Sequence, residues 1–213
     1  MTAANKIVIC NFALDHLGKD NVLNLTSTDA GRRCGRQYDH ARRTSLMRSP
    51  WTFARKTKAL SVQSTNVLSD LFEYAYDIPK DCLKIVRLVE IDRGVDDNTP
   101  PIPYYISNGF LYTNLEGAHL LYVFDNTDTA AWSDLFDDVV AIMIAIRVAP
   151  ALTRRKSDIK DLRDAYDATL GIAMDTDAAQ DQTTYRFGDG YVDARGAGMT
   201  ERGRQTDGSS IWG

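Results

Sequence analysis

Residues 135–150 read Leu135-Phe-Asp-Asp-Val-Val-Ala-Ile-Met-Ile-Ala-Ile-Arg147-Val-Ala-Pro150. As a helix, Leu135, Phe136, Val139, Val140, Ile142, Met143 and Ile146 leave almost no polar side, and a helix that is apolar all round must be enclosed by others. The apolar run from Val139 to Leu152 is broken by Arg147 and Pro150 and falls short of the ~20 residues that a membrane span needs. This stretch therefore predicts the central helix of a bundle, kinked or ended at Pro150.

Partners for it lie on both sides. Downstream, Ser157 is placed to cap a helix in which Ile159, Leu162, Tyr166, Leu170 and Ala173 form one apolar stripe. Lys160/Asp164 and Arg163/Asp167 fall four apart on its solvent side. Upstream, Ile7, Cys10, Leu14 and Leu17 recur at steps of three and four before Gly18, a C-terminal glycine signal. After a polar connection, Thr28 and Asp29 supply N-cap chemistry. Ala30, Cys34, Tyr38 and Ala41 continue at helical spacing toward Leu46, and Pro50 closes that helix.

Between Trp51 and the central helix the pattern changes. Residues 72–124 are rich in Tyr, Val, Ile and Phe and carry turn signals, so they predict strands. Leu83, Ile85, Val89 and Ile91 alternate with Lys84 and Glu90. Asn108-Gly109 sits between Tyr104-Tyr105-Ile106 and Phe110-Leu111-Tyr112, a strong hairpin signal because a type I′ turn needs positive φ at both central residues. Residues 119–124 offer another strand, and Pro100, Pro101 and Pro103 mark a loop or edge, since proline cannot donate to a ladder.

The fold class expected is α+β: an antiparallel helical bundle with an inserted small antiparallel β domain and an extended, flexible C-terminal arm. The divisions are 1–58 (helices one and two), 59–130 (β-rich insertion), 131–180 (helices three and four) and 181–213 (arm). With 213 residues, 44% hydrophobic and 25% charged, the chain suits a single core with an appendage. Three cysteines, Cys10, Cys34 and Cys82, suggest no disulfide framework and fit a reducing compartment. The first twenty residues contain no continuous apolar run, so no signal peptide is expected there.

Catalytic and cofactor signatures give little. No phosphate-binding Gly-x-x-x-x-Gly-Lys-Ser/Thr string occurs, and Gly188-x-Gly190 and Gly196-x-Gly198 lack the third glycine of a dinucleotide motif. Cys10/His16 and Cys34/His40 invite a zinc reading, yet six residues of helix turn the chain by about 600° and leave each pair about 120° apart. Cys10 and Cys34 are expected in the core and His16 and His40 at the surface. The four glutamates, Glu73, Glu90, Glu116 and Glu201, form no recognisable cleft pair for glycoside cleavage. Asp125, Asp128, Asp134, Asp137 and Asp138 read as an acidic cluster at a helix N-terminus. No catalytic residue, cofactor or metal site is assigned.

Charge is more informative. Between Asp29 and Lys58 stand nine Lys and Arg against two Asp, a surplus of seven in a chain of net charge −4, which leaves the remainder at −11. Arg32, Arg36, Arg42 and Arg43 lie on this basic helix. Three roles are open to it: a solvated face, a phosphate-binding face of a nucleic-acid module, or a subunit interface in which a basic face meets the acidic face of the next copy. Head-to-tail contact of unlike faces makes a ring when the rotation closes. Seven of the fourteen glycines fall in the last 33 residues, a composition that cannot bury a core. Tyr185, Phe187, Tyr191, Ile211 and Trp212 stand there as isolated anchors, in either a loose terminus or an arm that orders on a partner.

Two strings complete the pattern: Arg48-Ser-Pro-Trp51-Thr-Phe53-Ala-Arg55-Lys56, then Tyr76-Asp-Ile-Pro-Lys-Asp-Cys-Leu-Lys-Ile-Val-Arg-Leu88. With the order of elements over residues 1 to about 180, the chain resembles the tail adaptors of short-tailed bacteriophages, the T7-like tail tubular protein A family. The resemblance implies a non-enzymatic virion protein of the viral tail, assembled in the host cytoplasm as a ring of twelve subunits. Such a ring joins the portal protein to the tail nozzle protein, and double-stranded DNA passes through its channel without specific binding. By position in the chain, Tyr185, Phe187, Tyr191 and Trp212 would belong to a portal-binding arm. The alternatives are a nucleic-acid-binding module using the arginine-rich helix and a cell-wall hydrolase on the same scaffold. Trp51 and Phe53 are expected to anchor the core where bundle meets sheet.

Overall fold

A computed structural model describes residues 5–90, 101–153 and 156–182. The described residues are of mixed helix and sheet, with four α-helices among them: α1 (Lys6–Asp15), α2 (Asp29–Leu46), α3 (Asp134–Leu152) and α4 (Lys156–Gln182). Between α2 and α3 the described residues form six strands, β1 (Arg55–Ala59), β2 (Tyr74–Asp77), β3 (Cys82–Val89), β4 (Tyr105–Ser107), β5 (Phe110–Thr113) and β6 (His119–Phe124). They form two antiparallel sheets of three strands, ordered β1-β6-β3 and β2-β5-β4. No helix among the described residues is long and apolar enough to cross a membrane.

Local chemistry accounts for the helix ends. The Asn5 side chain accepts hydrogen bonds from the N–H groups of Ile7 and Val8 at 3.0 and 3.1 Å and opens α1. Past its end, Gly18 takes φ +59, the left-handed turn that the glycine was expected to supply. Thr28 caps α2 by accepting from Gly31 N–H at 3.0 Å. Ser133 does the same for α3 from Phe136 N–H at 3.2 Å. Two endings differ from expectation. α3 continues past Pro150 to Leu152, because a proline in the last turn removes only one bond near a ladder that is ending anyway. α4 begins at Lys156, which puts Ser157 inside the helix and not at its cap.

As the all-round apolar pattern predicts, α3 is the hub: α1, α2 and α4 each pack against it. Phe136, Val139, Val140, Ile144 and Ala145 are fully buried. On α4, Leu162, Tyr166 and Ala173 are buried and Ile159 and Leu170 pack beside them, and Lys160 reaches Asp164 at 3.9 Å on the outer side.

The two sheets divide the core in two. Val123 of β6 joins the helical cluster, whereas Leu120 and Tyr122 point the other way and meet Tyr76 and Leu111 of the second sheet. This is the strand period of two at work. On β3 the expected alternation of Leu83 with Ile85 and Val89 on one side fails. The pairing with β6 slips between Cys82 and Lys84 and again between Ile85 and Arg87. These irregularities give Leu83 and Val86 to the helical cluster and Cys82, Ile85 and Leu88 to the other, a spacing of three. Ile91 lies outside the described residues. The hairpin forms as expected, with Asn108 at φ 50 and Gly109 at φ 81 between paired Ser107 and Phe110. One strand was missed: β1 begins at Arg55, inside the segment assigned to the first two helices.

Candidate functional site

The basic helix α2 divides into parts with different fates. Toward its start, Arg33 Nε meets Asp29 at 2.6 Å and Arg32 donates to the Thr26 carbonyl at 3.1 Å. The Arg33 hydrogen bond, with the arginine charges around it, holds the Asp29 carboxyl below its ordinary range. Arg36 is exposed and has no ion-pair partner among the described residues. Lys6 of α1 extends this surface, reaching Asp39 at 3.3 Å and lying 4.7 Å from the centre of the Tyr38 ring. Arg32, Arg36 and Lys6 surround a pocket of about 490 Å³, whose apolar wall is Leu25 packed beside Gly35.

Arg42 stands apart. Only 2% of it is exposed, so it is not on a face that a neighbouring copy could meet, and its assignment to a subunit interface is corrected. Its Nη1 donates to the Asn126 carbonyl at 2.8 Å and lies 2.7 Å from Asp125 Oδ1. That second contact is an ion pair without in-line hydrogen-bond geometry, since Oδ1 has no hydrogen-bond partner. Arg43, exposed, reaches the other oxygen of Asp125 at 3.0 Å. Asn126 in turn donates to the Phe53 carbonyl at 3.0 Å. Arg42 therefore fastens α2 to the end of β6.

The two strings behind the family resemblance also meet in space. Trp51 is fully buried, donates to the Ser45 carbonyl at 3.1 Å, and packs with Phe53 and Phe136 in a ring cluster. Both aromatics are core anchors, as expected. Between them Thr52 is clamped by Asp177 of α4: its N–H lies 3.1 and 3.0 Å from the two carboxylate oxygens, and its hydroxyl donates at 2.6 Å. Lys56 of the first string lies 3.3 Å from Asp81 of the second and 3.6 Å from the Phe124 ring centre. Asp81 also accepts from Tyr122 at 3.0 Å. Burial would raise the Asp81 carboxyl, but these two donors leave it below its ordinary value. Burial, then the bond to Asp81, push the Tyr122 phenol up to about 12.

Cys10 and Cys34 are buried and His16 and His40 exposed, so the two Cys-x5-His pairs separate as the helical rotation requires. Burial pushes the two thiols up to about 12 and about 11, which makes them poor nucleophiles and poor metal ligands. Of the aspartates expected as one acidic cluster at a helix start, Asp134, Asp137 and Asp138 do gather at the start of α3, and Asp125 and Asp128 are engaged elsewhere. Asp125 serves Arg42 and Arg43, Asp128 caps the turn Thr129–Ala131, and Asp134 starts α3. Asp137 is buried, its Oδ1 lacks a hydrogen-bond partner, and burial with Asp134 and Asp138 nearby raises its carboxyl to about 7.

The partners of Asp177, Asp125 and Asn126 were invisible to sequence reasoning, because each acts on a residue far away in the chain. Tyr185, Phe187, Tyr191 and Trp212 lie outside the described residues. No family model matches the chain, and no curated protein gives a match to it.

Proposed function

We propose that this chain is a non-enzymatic virion protein, a tail adaptor that assembles into a ring of twelve copies between a portal protein and a tail nozzle protein. In this reading the four helices are an antiparallel bundle, the strands between α2 and α3 are an insertion facing the nozzle, and residues beyond 181, with Tyr185, Phe187, Tyr191 and Trp212, are the portal-binding arm. DNA passes through the central channel without sequence-specific contact, and no cofactor takes part.

The observation that supports it is electrical. α2 carries five arginines against two aspartates, and α4 carries seven aspartates against three basic residues. Both helices pack against α3. A subunit with unlike, complementary faces is what head-to-tail closure requires. Arg32, Arg36 and Arg43 remain at the surface for such a contact. A strongly basic channel would act as a salt-sensitive brake on DNA, and a net charge of −4 is compatible with sliding.

The test is negative-stain electron microscopy of the purified chain, alone and with the portal encoded by the same genome. Rings with twelvefold class averages are the expected outcome. Monomers under both conditions would remove the reading and direct attention to a salt titration of DNA binding by α2, where phosphate contacts give a steep slope.

A further inference from the structure

On the outer side of α4, Ile172 is 58% exposed although its helix has a well-defined buried stripe on the other side. Its neighbour Gly171 is a glycine in a helix interior, where an alanine is preferred. A Cβ added there meets nothing within 4 Å, so no packing among the described residues requires the glycine. One turn on, exposed Asp175 has no ion-pair partner among the described residues. An apolar knob, a place for close approach and an uncompensated carboxylate thus share one surface.

The pocket between α1 and α2 has the reverse character. Its wall is Leu25 beside Gly35, and its rim carries Arg32, Lys6 and Arg36 together with Asp29, whose carboxylate is taken up by Arg33; Arg36 has no ion-pair partner among the described residues. We propose that Ile172 of one copy seats against Leu25 and Gly35 of the next, with Asp175 paired to Arg36 across the contact. The assignment rests on the ring reading and supplies its contact. The occupant is a second copy of this chain because charge and shape on the two surfaces are complementary: each has an apolar centre, and each presents the unpaired charge that the other lacks. Gly171 lets the α4 backbone approach the pocket rim, and the isoleucine enclosed there is the aliphatic anchor of the contact.

The test uses the full chain under the condition in which the wild type assembles. Arg36→Glu and Asp175→Lys are each expected to weaken association at least about tenfold, and the double variant to recover to within about threefold of wild type, as coupled partners do. In the dissociated Arg36→Glu background, Gly171→Ala raises the melting temperature, while in the otherwise wild-type chain it weakens assembly. Wild-type assembly with both single variants assembling equally well would overturn this contact and leave the ring standing. A wild type that never assembles would remove the ring and the contact together. If Ile172→Glu lowers the melting temperature of the dissociated chain, the chain itself covers that surface and the proposal falls.

Discussion

The guanidinium of Arg42 lies 2.7 Å from Asp125 Oδ1 across a sequence separation of more than eighty residues, and it is the link that holds α2 to the end of β6. Because Arg42 is 3% exposed at its side chain, cutting the pair leaves a buried charge uncompensated. Asp125→Ala, which removes the acid and keeps the buried guanidinium, is expected to cost about 3 kcal/mol or more, since breaking a buried pair from one side is far worse than never having built it. A urea denaturation midpoint within error of wild type would refute the link. Arg43→Ala, which removes an exposed partner from the other oxygen of the same carboxylate, is expected to cost less than about 1 kcal/mol.

Asp137 gives stability a pH dependence of known sign. Its folded value of about 7 lies above the ordinary 3.8, so the folded chain holds the proton that the unfolded chain releases. Its contribution is fully favourable below about 4 and is lost as pH rises through about 7, up to about 4 kcal/mol over that window. Asp137→Asn is expected to flatten the pH profile between 4 and 8 relative to wild type and to raise the melting temperature at pH 8. Parallel profiles for the two proteins would show that the carboxylate is ionised in the fold.

The clamp between Thr52 and Asp177 joins α4 to the turn that begins the strands. Asp177→Ala removes a charged acceptor from the Thr52 N–H and hydroxyl. A loss of about 2 kcal/mol is expected. Hydrogen exchange at the Thr52 amide should accelerate in step, and an amide as protected as in wild type would count against the clamp.

At the tip of the hairpin, Gly109 has φ 81 with open space where a Cβ would go. Gly109→Ala therefore costs backbone strain and no clash, about 1 kcal/mol. The same substitution at Gly171, in ordinary helical conformation, has the opposite expected sign in the unassembled chain. Comparing the two melting temperatures checks both.

The helices, the Asn108-Gly109 turn, the last strand and the core places of Trp51, Phe53, Cys10 and Cys34 were legible because each depends on neighbours within a few residues. Caps, hydrophobic periods and left-handed glycines are local chemistry, and a sequence states local chemistry directly. The hub role of α3 was legible for a related reason: apolar residues on every side leave a helix no solvent face.

Long-range pairing decided the rest. The basic residues of α2 look alike in sequence, yet Arg42 is buried against Asp125 and Asn126, with Asp39 of its own helix 3.7 Å away, while Arg36 faces solvent, because the packed end of β6 covers one of them and not the other. Asp137 reads as one of several aspartates near a helix start, and only the packing around α3 encloses it and raises its carboxyl. On β3 the alternation in the sequence is real, but slips in its pairing with β6 send Leu83 and Ile85 to different cores. Sequence by itself determined the four helices, the hairpin turn and the last strand, but not β1. The tertiary structure determined which charges are spent inside the subunit and which remain outside, since a side chain's partner is set by what folds against it and not by its neighbours in the chain.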